Sequence, residues 1–384
     1  MPLRPHQTDA LDAMANHNKG QIIIPTGGGK TMCMIEDAKR GGTIVVVAPR
    51  ILLAEQLSSE FLEQIDNVSV MHVHSGETPH YSSTKIEDIY FWHKYTRGNK
   101  IIFTTYHSLD KVKRSTIDVD TIYFDEAHNS VQRNFFPAVE HFATDWANRC
   151  FFFTATPKHS TTPFKAGMNW TRVYGQVIAN VPAPKLVDQG YILPPKVEVY
   201  KSRLLRKDEI FADVESEQML SAIDRLDVDK VLICAKSTKQ IINLTSQSDF
   251  CYELNVRGYS WMYITAKTGA IIDGKKVGRD QFFETLNAWG KDDDKKFVVL
   301  HHSILAEGIN VKGLEAALFM RNMDYITISQ TIGRVIRLGN CHKTHGKVCV
   351  PVYNNVGIST ARKVEAVVDT VFNQGQPAIS VITR

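Results

Sequence analysis

In the first half of the chain, short runs of β-branched and aromatic residues alternate with amphipathic stretches that carry charges. Runs that are apolar on both faces are typical of strands buried in a parallel sheet. The stretches between them, such as Met32–Ala38 and Ile51–Glu63, favour helices. Strand alternating with helix predicts a doubly wound α/β domain with a parallel sheet. The predicted strands are Gln21–Ile24, Gly42–Ala48, Val68–His74, Lys100–Tyr106, Thr121–Phe124 and Cys150–Phe153.

The second half repeats this alternation, with a helix predicted over Asp280–Trp289. Its sequence contains no glycine-rich loop like the PTGGGKT of the first half, at Pro25–Thr31. We therefore expect a second parallel α/β layer without a phosphate loop of its own. Its predicted strands are Val197–Tyr200, Asp229–Ala235, Trp261–Ile264, Lys296–Leu300 and Ala316–Met320.

A proline-rich stretch separates the two halves. Pro182, Pro184, Pro194 and Pro195 fall close together around Gly190. Prolines and glycines at this density indicate a linker, because they interrupt regular structure. The sequence therefore predicts a first domain over residues 1–180, a linker over 181–196 and a second domain over 197–384.

Composition narrows the class of protein. The 384 residues suffice for two such domains, and the net charge of +4 permits nucleic-acid binding without identifying it. The six cysteines form no CxxC pair, which suits a reducing compartment. The N-terminus has no apolar signal region, and no apolar run approaches the ~18 residues of a membrane span. We expect a soluble, intracellular protein.

The first predicted strand leads into a glycine loop. Pro25–Thr31 reads PTGGGKT and is followed directly by a predicted helix. Glycines let backbone N–H groups converge on phosphate oxygens, and the helix N-terminus adds partial positive charge. Lys30 would reach the β- and γ-phosphates and Thr31 would bind Mg²⁺. The common pattern begins with glycine where this chain has Ile24, and a turn that binds nothing is the disfavoured alternative.

Two other strand ends carry the remaining groups of a nucleotide site. Asp125 and Glu126 directly follow the strand Thr121–Phe124. Asp125 would hold Mg²⁺, and Glu126 would orient and activate the attacking water. Thr154 and Thr156 follow the next strand and would lie beside these carboxylates. Two adjacent acids alone would indicate a solvated turn, but the upstream glycine loop favours the catalytic interpretation.

Basic and hydroxyl residues at other strand ends suggest contacts with phosphate groups. Arg50 and Thr105 each end a strand in the first half, although Arg50 could equally be a solvated helix start. Arg334 and Arg337 are three residues apart, which predicts a shared helical face suited to bidentate phosphate contacts. The alternative for this pair is two surface arginines.

The order of these segments resembles that of superfamily 2 helicases over nearly the whole chain. Similar motifs are found at Arg4–Gln7, Pro25–Thr31, Ala48–Arg50, Phe103–Leu109, Asp125–His128, Thr154–Pro157, Leu300–Asn310 and Gln330–Arg337. The resemblance implies two RecA-like domains with ATP and Mg²⁺ in the cleft between them. One departure is Asn310, where related proteins usually have an acid; asparagine can still bond a ribose hydroxyl but carries no charge.

The resemblance also implies roles for individual residues. The residues with implied catalytic roles are Lys30, Asp125, Glu126, Gln330, Arg334 and Arg337. The residues that would bind ATP are Gln7, which would read adenine, and Thr26, Gly27, Gly28, Gly29, Lys30, Thr31, Gly308 and Asn310. Thr31 and Asp125 would bind the metal. Nucleic acid would contact Arg50, Thr105, Lys236 and Ser303, and coupling would run through His128, Thr154 and Thr156.

Two details favour the DNA translocase branch of this superfamily, which includes DNA-repair and phage recombination helicases. Gln7 is present, unlike in DEAH-type RNA helicases, and Gln330 replaces the usual histidine of DEAD-type enzymes. We expect a cytoplasmic, monomeric motor on single-stranded or branched DNA, in a bacterial cell or a phage-infected host, with specificity supplied by a partner protein. An RNA-remodelling ATPase and an ATP-switched binding subunit without unwinding activity are the alternatives.

Overall fold

The computed structural model describes residues 2–201, 211–265, 267–302, 311, 313–320, 323–339, 343–352 and 355–383. The chain forms two compact units. Unit 1 comprises Met1–Pro182 with Pro377–Arg384, and unit 2 comprises Ala183–Gln376. Among the described residues, no helix is long and apolar enough to cross a membrane.

Unit 1 is built on an eight-stranded sheet in the order β4-β3-β5-β2-β6-β7-β1-β9, in which every pair of neighbours is parallel. These strands are β1 Lys19–Ile23, β2 Thr43–Ala48, β3 Val68–Val73, β4 Tyr81–Ser82, β5 Asn99–Thr105, β6 Thr121–Phe124, β7 Arg149–Thr154 and β9 Val177–Asn180, with β8 Lys158–Ser160 outside the sheet. The helices are α1 Pro5–Ala15, α2 Lys30–Ala38, α3 Ile51–Leu62, α4 Ile86–Tyr95, α5 Leu109–Arg114, α6 Phe136–His141 and α7 Thr171–Tyr174.

The centre of this sheet is buried on both faces. Every residue of β2 and β6 is buried, which is why these strands read as continuous apolar runs rather than as alternating ones. Val45, Ile122 and Phe124 contribute to one core cluster with the helices that cover that face. The predicted doubly wound parallel sheet is confirmed for unit 1.

Unit 2 contains a second eight-stranded sheet, in the order β10-β17-β16-β11-β15-β12-β13-β14. Its strands are β10 Pro195–Lys201, β11 Lys230–Cys234, β12 Ser260–Thr265, β13 Gly269–Ile272, β14 Lys275–Val277, β15 Phe297–His301, β16 Ala316–Phe319 and β17 Gly346–Val352. Its helices are α8 Ala183–Asp188, α9 Phe211–Leu226, α10 Thr238–Ser246, α11 Phe250–Val256, α12 Arg279–Lys291, α13 Tyr325–Val335 and α14 Asn355–Val368.

The sheet of unit 2 is mixed rather than purely parallel, which corrects the sequence prediction. In the sheet order from β10 through β17, β16, β11 and β15 to β12, every pair of neighbours is parallel, but β13 pairs antiparallel with both β12 and β14. Asp273 and Gly274 connect β13 to β14 and both have positive φ. An Asp-Gly pair with two positive φ angles is the sequence mark of a tight hairpin, so the antiparallel edge has a local cause.

The predicted linker contains regular structure. Helix α8 occupies residues 183–188, and β10 begins at Pro195. Proline is tolerated in the first turn of a helix, where its missing N–H would have no helical partner, and this accounts for Pro184. The prolines therefore border a helix instead of filling a structureless connection.

The last described strand, β18 Ser380–Ile382, pairs in parallel with β8 of unit 1. Ser380 N–H donates to the Pro157 carbonyl at 3.1 Å, and Thr161 N–H donates to the Ile382 carbonyl at 3.2 Å. Residues 377–384 thus group with unit 1, whereas the sequence prediction placed them with the second half.

Candidate functional site

The residues singled out in the first half collect at one edge of the unit 1 sheet. Strands β1, β2, β5, β6 and β7 run parallel, so their carboxyl ends lie along the same edge. The glycine loop follows β1, Arg50 follows β2, Thr105 ends β5, Asp125 and Glu126 follow β6, and Thr154 ends β7. Ligands of open α/β sheets bind at this edge, which makes it the candidate functional site.

The glycine loop has the backbone of a phosphate cradle. Gly27 and Gly29 adopt φ angles of 86° and 87°, which residues with a Cβ rarely adopt. Gly29 is the N-cap of α2, so Lys30 and Thr31 lie in its first turn. Gly28 N–H donates to the Pro25 carbonyl at 2.9 Å, which closes the loop. Unpaired N–H groups at a helix start bind anions, and the loop presents such a start.

Side chains at the start of α1 hold the carbonyl side of this loop. Arg4 Nη1 donates to the Gly27 carbonyl at 3.3 Å, His6 Nε2 lies 2.7 Å from the Gly28 carbonyl, and Gln7 Nε2 donates to the Gly29 carbonyl at 3.1 Å. The carbonyls of Gly27, Gly28 and Gly29 are thus engaged by α1 and its N-cap on one side of the loop. Sequence reasoning missed the part played by His6, which no local pattern marks.

Gln7 already uses part of its amide within the protein. Its Oε1 accepts from Arg4 N–H at 2.9 Å, and its Nε2 donates to Gly29. A side-chain amide has two donor hydrogens and two acceptor lone pairs. One donor and one acceptor therefore remain, which is what pairing with adenine N7 and N6 requires. The adenine-reading role stays a prediction.

The two carboxylates lie close to the lysine of the loop. Lys30 Nζ is 3.7 Å from Glu126 Oε1, and both side chains are nearly buried. Burial and then the charge of Glu126 raise the pKa of the Asp125 carboxyl, while Lys30 and a backbone hydrogen bond act in the opposite direction. A buried acid of this kind favours a cation beside it. The donor set of Asp125 and Thr31 consists of hard oxygens and fits Mg²⁺.

The backbone at the two acids is fixed by its neighbours. Glu126 has φ 45° and ψ 53°, an uncommon left-handed conformation for a residue with a side chain. Tyr106 OH donates to the Asp125 carbonyl at 2.9 Å, and Asn129 Nδ2 donates to the Glu126 carbonyl at 3.0 Å. Strained backbone of this kind persists where surrounding contacts hold it, and it is common at functional sites. Tyr106 is a second residue whose part sequence reasoning missed.

A hydrogen-bonded group connects these acids with the end of β7. His128 Nδ1 lies 3.1 Å from Thr154 Oγ1, 3.4 Å from Thr156 Oγ1 and 3.6 Å from Glu126 Oε2. Thr156 N–H donates to Thr154 Oγ1 at 3.0 Å. The structure therefore brings together the three residues expected to couple hydrolysis to movement. Their coupling role itself stays a prediction.

The predicted nucleic-acid contacts in unit 1 differ in accessibility. Arg50 is the half-buried N-cap of α3, whereas Thr105 is 4% exposed. Ala48 and Thr105 pair in register on neighbouring strands, so both positions belong to the same edge. A buried hydroxyl is poorly placed to bind a ligand directly, so Arg50 is the better candidate for contact.

In unit 2, Lys236 and the residues of α13 occupy different surroundings. Lys236 follows β11 and is exposed, and Ser237 caps α10 by accepting from Gln240 N–H at 3.2 Å.

Gln330 and Arg334 lie four residues apart on α13 and are buried. Helix α13 ends at Val335, so the predicted shared helical face does not extend to Arg337, which is half-buried beyond the C-cap Ile336. Just beyond the helix end, Leu193 N–H donates to the Ile336 carbonyl at 2.7 Å. Ser303, Gly308 and Asn310 lie outside the described residues.

Comparisons with known proteins agree with this reading of the fold. Residues 1–159 match the profile of a family described as "Type III restriction enzyme, res subunit". A comparison with curated proteins found no match.

Two solved structures resemble the chain over its whole length. One is the ATP-dependent Type ISP restriction-modification enzyme LlaBIII bound to DNA, with a TM-score of 0.75, 16% identity and 100% of this chain covered. The other is a nuclease-deletion mutant of the Type ISP enzyme LlaGI in complex with a DNA substrate mimic, with a TM-score of 0.67, 18% identity and 99% covered. The chain spans 31% and 30% of their respective lengths. These matches show that the chain has the fold of the matched parts of both enzymes.

Proposed function

We propose that this chain is an ATP-driven translocase of the superfamily 2 helicase type that moves along DNA. The observation that carries this proposal is the arrangement at the unit 1 edge. A glycine loop that caps α2, Lys30 3.7 Å from Glu126, and the buried Asp125 are groups of the kind that phosphoryl transfer uses.

Each of these groups has a separate task in the proposed reaction. The loop N–H groups and Lys30 bind and orient the phosphates, and Glu126 orients the attacking water and takes its proton. Thr31 and Asp125 would hold Mg²⁺, which when bound neutralises charge on the β- and γ-phosphates. His128 and Thr154, 3.1 Å apart, would pass the change at Glu126 to the end of β7.

DNA is the proposed track for two reasons. Both solved structures with the same fold hold DNA or a DNA mimic, as their descriptions state. In this chain, basic residues follow carboxyl strand ends in each unit, Arg50 after β2 and Lys236 after β11. Our proposal includes a monomeric motor that prefers single-stranded or branched DNA, as in repair or recombination, with a partner protein that supplies specificity.

The proposal is tested by ATP hydrolysis measured with single-stranded, duplex, forked and four-way DNA and with RNA of equal length. We expect DNA to stimulate ATP turnover more than RNA does. Displacement of a third-strand oligonucleotide from duplex DNA reports movement along duplex. Lys30→Ala, which removes the cation on the phosphates, serves as the inactive control. Equal stimulation by RNA would replace the DNA assignment, and ATPase activity equal to the parent in Lys30→Ala would refute the nucleotide site.

A further inference from the structure

Helix α3 and the end of β3 bring together three side chains that can bind a metal ion. Glu55 lies on α3, His72 lies in β3, and His74 follows that strand. Glu55 Oε1 is 3.1 Å from His72 Nδ1 and 2.9 Å from His74 Nε2. The two ring nitrogens are 2.9 Å apart. Two imidazole nitrogens and one carboxylate oxygen therefore converge on one point.

Hydroxyl groups contact the second ring nitrogen of His72 and the second carboxylate oxygen of Glu55. Ser58 Oγ lies 3.0 Å from His72 Nε2, and Thr78 Oγ1 donates to Glu55 Oε2 at 3.0 Å. Outer contacts of this kind fix the tautomer and orientation of metal ligands. Both histidine side chains are fully buried, whereas Glu55 keeps 24% of its side chain exposed. An ion could therefore enter from the carboxylate side.

Hydrogen bonds alone cannot satisfy this triangle while Glu55 is ionised. Gly76 N–H donates to His74 Nδ1 at 3.2 Å, which places the proton of neutral His74 on Nε2. If that proton points to Glu55 and His72 also donates to Glu55, the N–H groups of the two histidines face each other. In every other case His72 Nδ1 carries no proton and faces the acceptor Glu55 Oε1 at 3.1 Å. A dication at the centre would take all three lone pairs at once.

The surroundings also keep the imidazoles in the form that binds metal. Burial lowers the pKa of His72 to about 3, with smaller contributions from His74 and His80, and burial lowers the pKa of His74. Burial raises the pKa of Glu55. Neutral imidazole is the form that binds a metal ion.

We propose that Glu55, His72 and His74 bind one divalent transition-metal ion, with zinc as the preferred ion. Two nitrogens and one oxygen form a common zinc donor set, which leaves a fourth position for water or another ligand. The ring of His80 stacks on that of His72 with centroids 5.2 Å apart. Alternation along β3 puts His72 and His74 on the same face, but the sequence does not show that Glu55 joins them.

Metal binding would change one backbone contact. Coordination through His74 Nε2 moves the imidazole proton to Nδ1, so the Gly76 N–H bond must break. Gly76 packs closely on the start of α3, since a Cβ there would lie 2.5 Å from Ile51 Cγ2. Ile51 follows Arg50, the N-cap of the same helix. An ion held by Glu55 of α3 and by His72 and His74 would instead brace the end of β3 against the helix that presents Arg50.

The test uses the full chain stripped with a chelator and kept in excess Mg²⁺, so that the candidate Mg²⁺ site does not take up the added ion. Co²⁺ is titrated in and followed by its visible absorption, and Zn²⁺ is then added in competition with a chromophoric chelator. We expect one equivalent of Co²⁺ with the strong bands of tetrahedral coordination, displaced by one equivalent of Zn²⁺. Glu55→Gln and His74→Gln should lose this equivalent, and Ser58→Ala should weaken it about 10–100-fold.

His93→Gln is the matched control, because His93 is a half-buried histidine of the same unit, 3.1 Å from Thr43 Oγ1 and outside the cluster. It should bind like the parent. If His74→Gln does not fold, X-ray absorption of the zinc-loaded parent decides: two imidazole shells with nitrogen at ~2.0–2.1 Å support the site. A parent that takes up no equivalent, equal binding by folded His74→Gln, or sulfur in the first shell would overturn the proposal.

Discussion

At the scale of single residues, Glu126 combines an uncommon backbone conformation with contacts to two groups of the candidate site. Its carboxylate lies 3.7 Å from Lys30 Nζ and 3.6 Å from His128 Nδ1. The type and position of this residue were predictable, because an acid pair after a buried strand is a local pattern. Its left-handed φ could not be predicted, and neither could the hydrogen bond from Tyr106 OH to the carbonyl of the preceding Asp125, because both depend on contacts between distant segments.

Glu126→Gln should retain nucleotide binding and lose turnover. The amide keeps the shape of the side chain but cannot accept the proton of water, so hydrolysis should fall on the order of 10²–10⁴-fold. Single-turnover hydrolysis and fluorescent-nucleotide binding measure the two effects separately. Glu63→Gln, a change at an exposed carboxylate beyond α3, serves as the control and should match the parent. Loss of nucleotide binding in Glu126→Gln would assign the residue to the fold or the metal.

Arg337→Ala should bind ATP about as well as the parent and still lose turnover, if Arg337 stabilises charge in the transition state. The reduction typical of such an arginine is roughly 10³–10⁵-fold. Arg337→Lys should restore little, because lysine lacks the planar fork of donors. Steady-state ATPase activity with DNA present is the measurement. Arg279→Ala, at an exposed position of unit 2, should leave activity unchanged. Full activity in Arg337→Ala would make this residue structural.

At the scale of elements, α2 is anchored by a buried ion pair at its far end. Arg149 donates to both oxygens of Asp37 at 2.8 and 2.9 Å, and Tyr123 OH donates to Asp37 Oδ2 at 2.6 Å. The Asp37 side chain is fully buried. This network joins α2 to β6 and β7, so it holds the glycine loop in position relative to the acids.

Asp37→Ala should destabilise the protein by about 3–5 kcal/mol, because Arg149 would keep a largely buried charge without its partner. Equilibrium unfolding in urea, read by circular dichroism, gives the change. The neighbouring Glu36→Ala is the matched control: its ion pair with Lys39 is at the surface, and removal should change stability by at most about 1 kcal/mol. Similar losses in both variants would show that the network contributes little.

Sequence reasoning at this scale succeeded where burial is continuous and failed at a helix end and a hairpin. Strands β2, β5 and β6 were recognisable because both faces are apolar. The end of α13 at Val335 was missed, since Gln330–Arg337 carries no glycine or proline after Gly333 to mark it. The β13–β14 hairpin was missed although Asp273-Gly274 marks it locally, so better attention to turn residues would have found it.

At the scale of the whole molecule, the pairing of β18 with β8 is the feature that sequence reasoning could not reach. The two strands are more than 200 residues apart, and neither has a distinctive pattern. Strand β8 directly follows Pro157, whose carbonyl accepts from Ser380 N–H. The residues after Thr156 in unit 1 are thus held by residues from the far end of the sequence.

Deleting residues 377–384 should lower the stability of unit 1 and leave the secondary structure of unit 2 unchanged. The deletion removes the β8–β18 pairing and exposes backbone groups of β8 to water. Hydrogen exchange read by mass spectrometry should show faster exchange in peptides that cover 158–161, with no change in β11 or β15. Replacing Ser380, Val381 and Ile382 by proline in the full-length chain should reproduce the effect, since proline cannot donate to the ladder. Unchanged exchange at 158–161 would contradict the pairing.

The same pairing sets an order of events during synthesis. A chain made from its N-terminus completes all of β1 to β9 long before residues 380–382 emerge from the ribosome, and the whole of unit 2 is made in the interval. Until β18 has been made, β8 has no partner strand, so unit 1 has an unpaired strand edge next to Thr156. Such edges attract other strands and the chaperones that shield them. The nascent chain, rather than the finished protein, is therefore the form most exposed to mispairing.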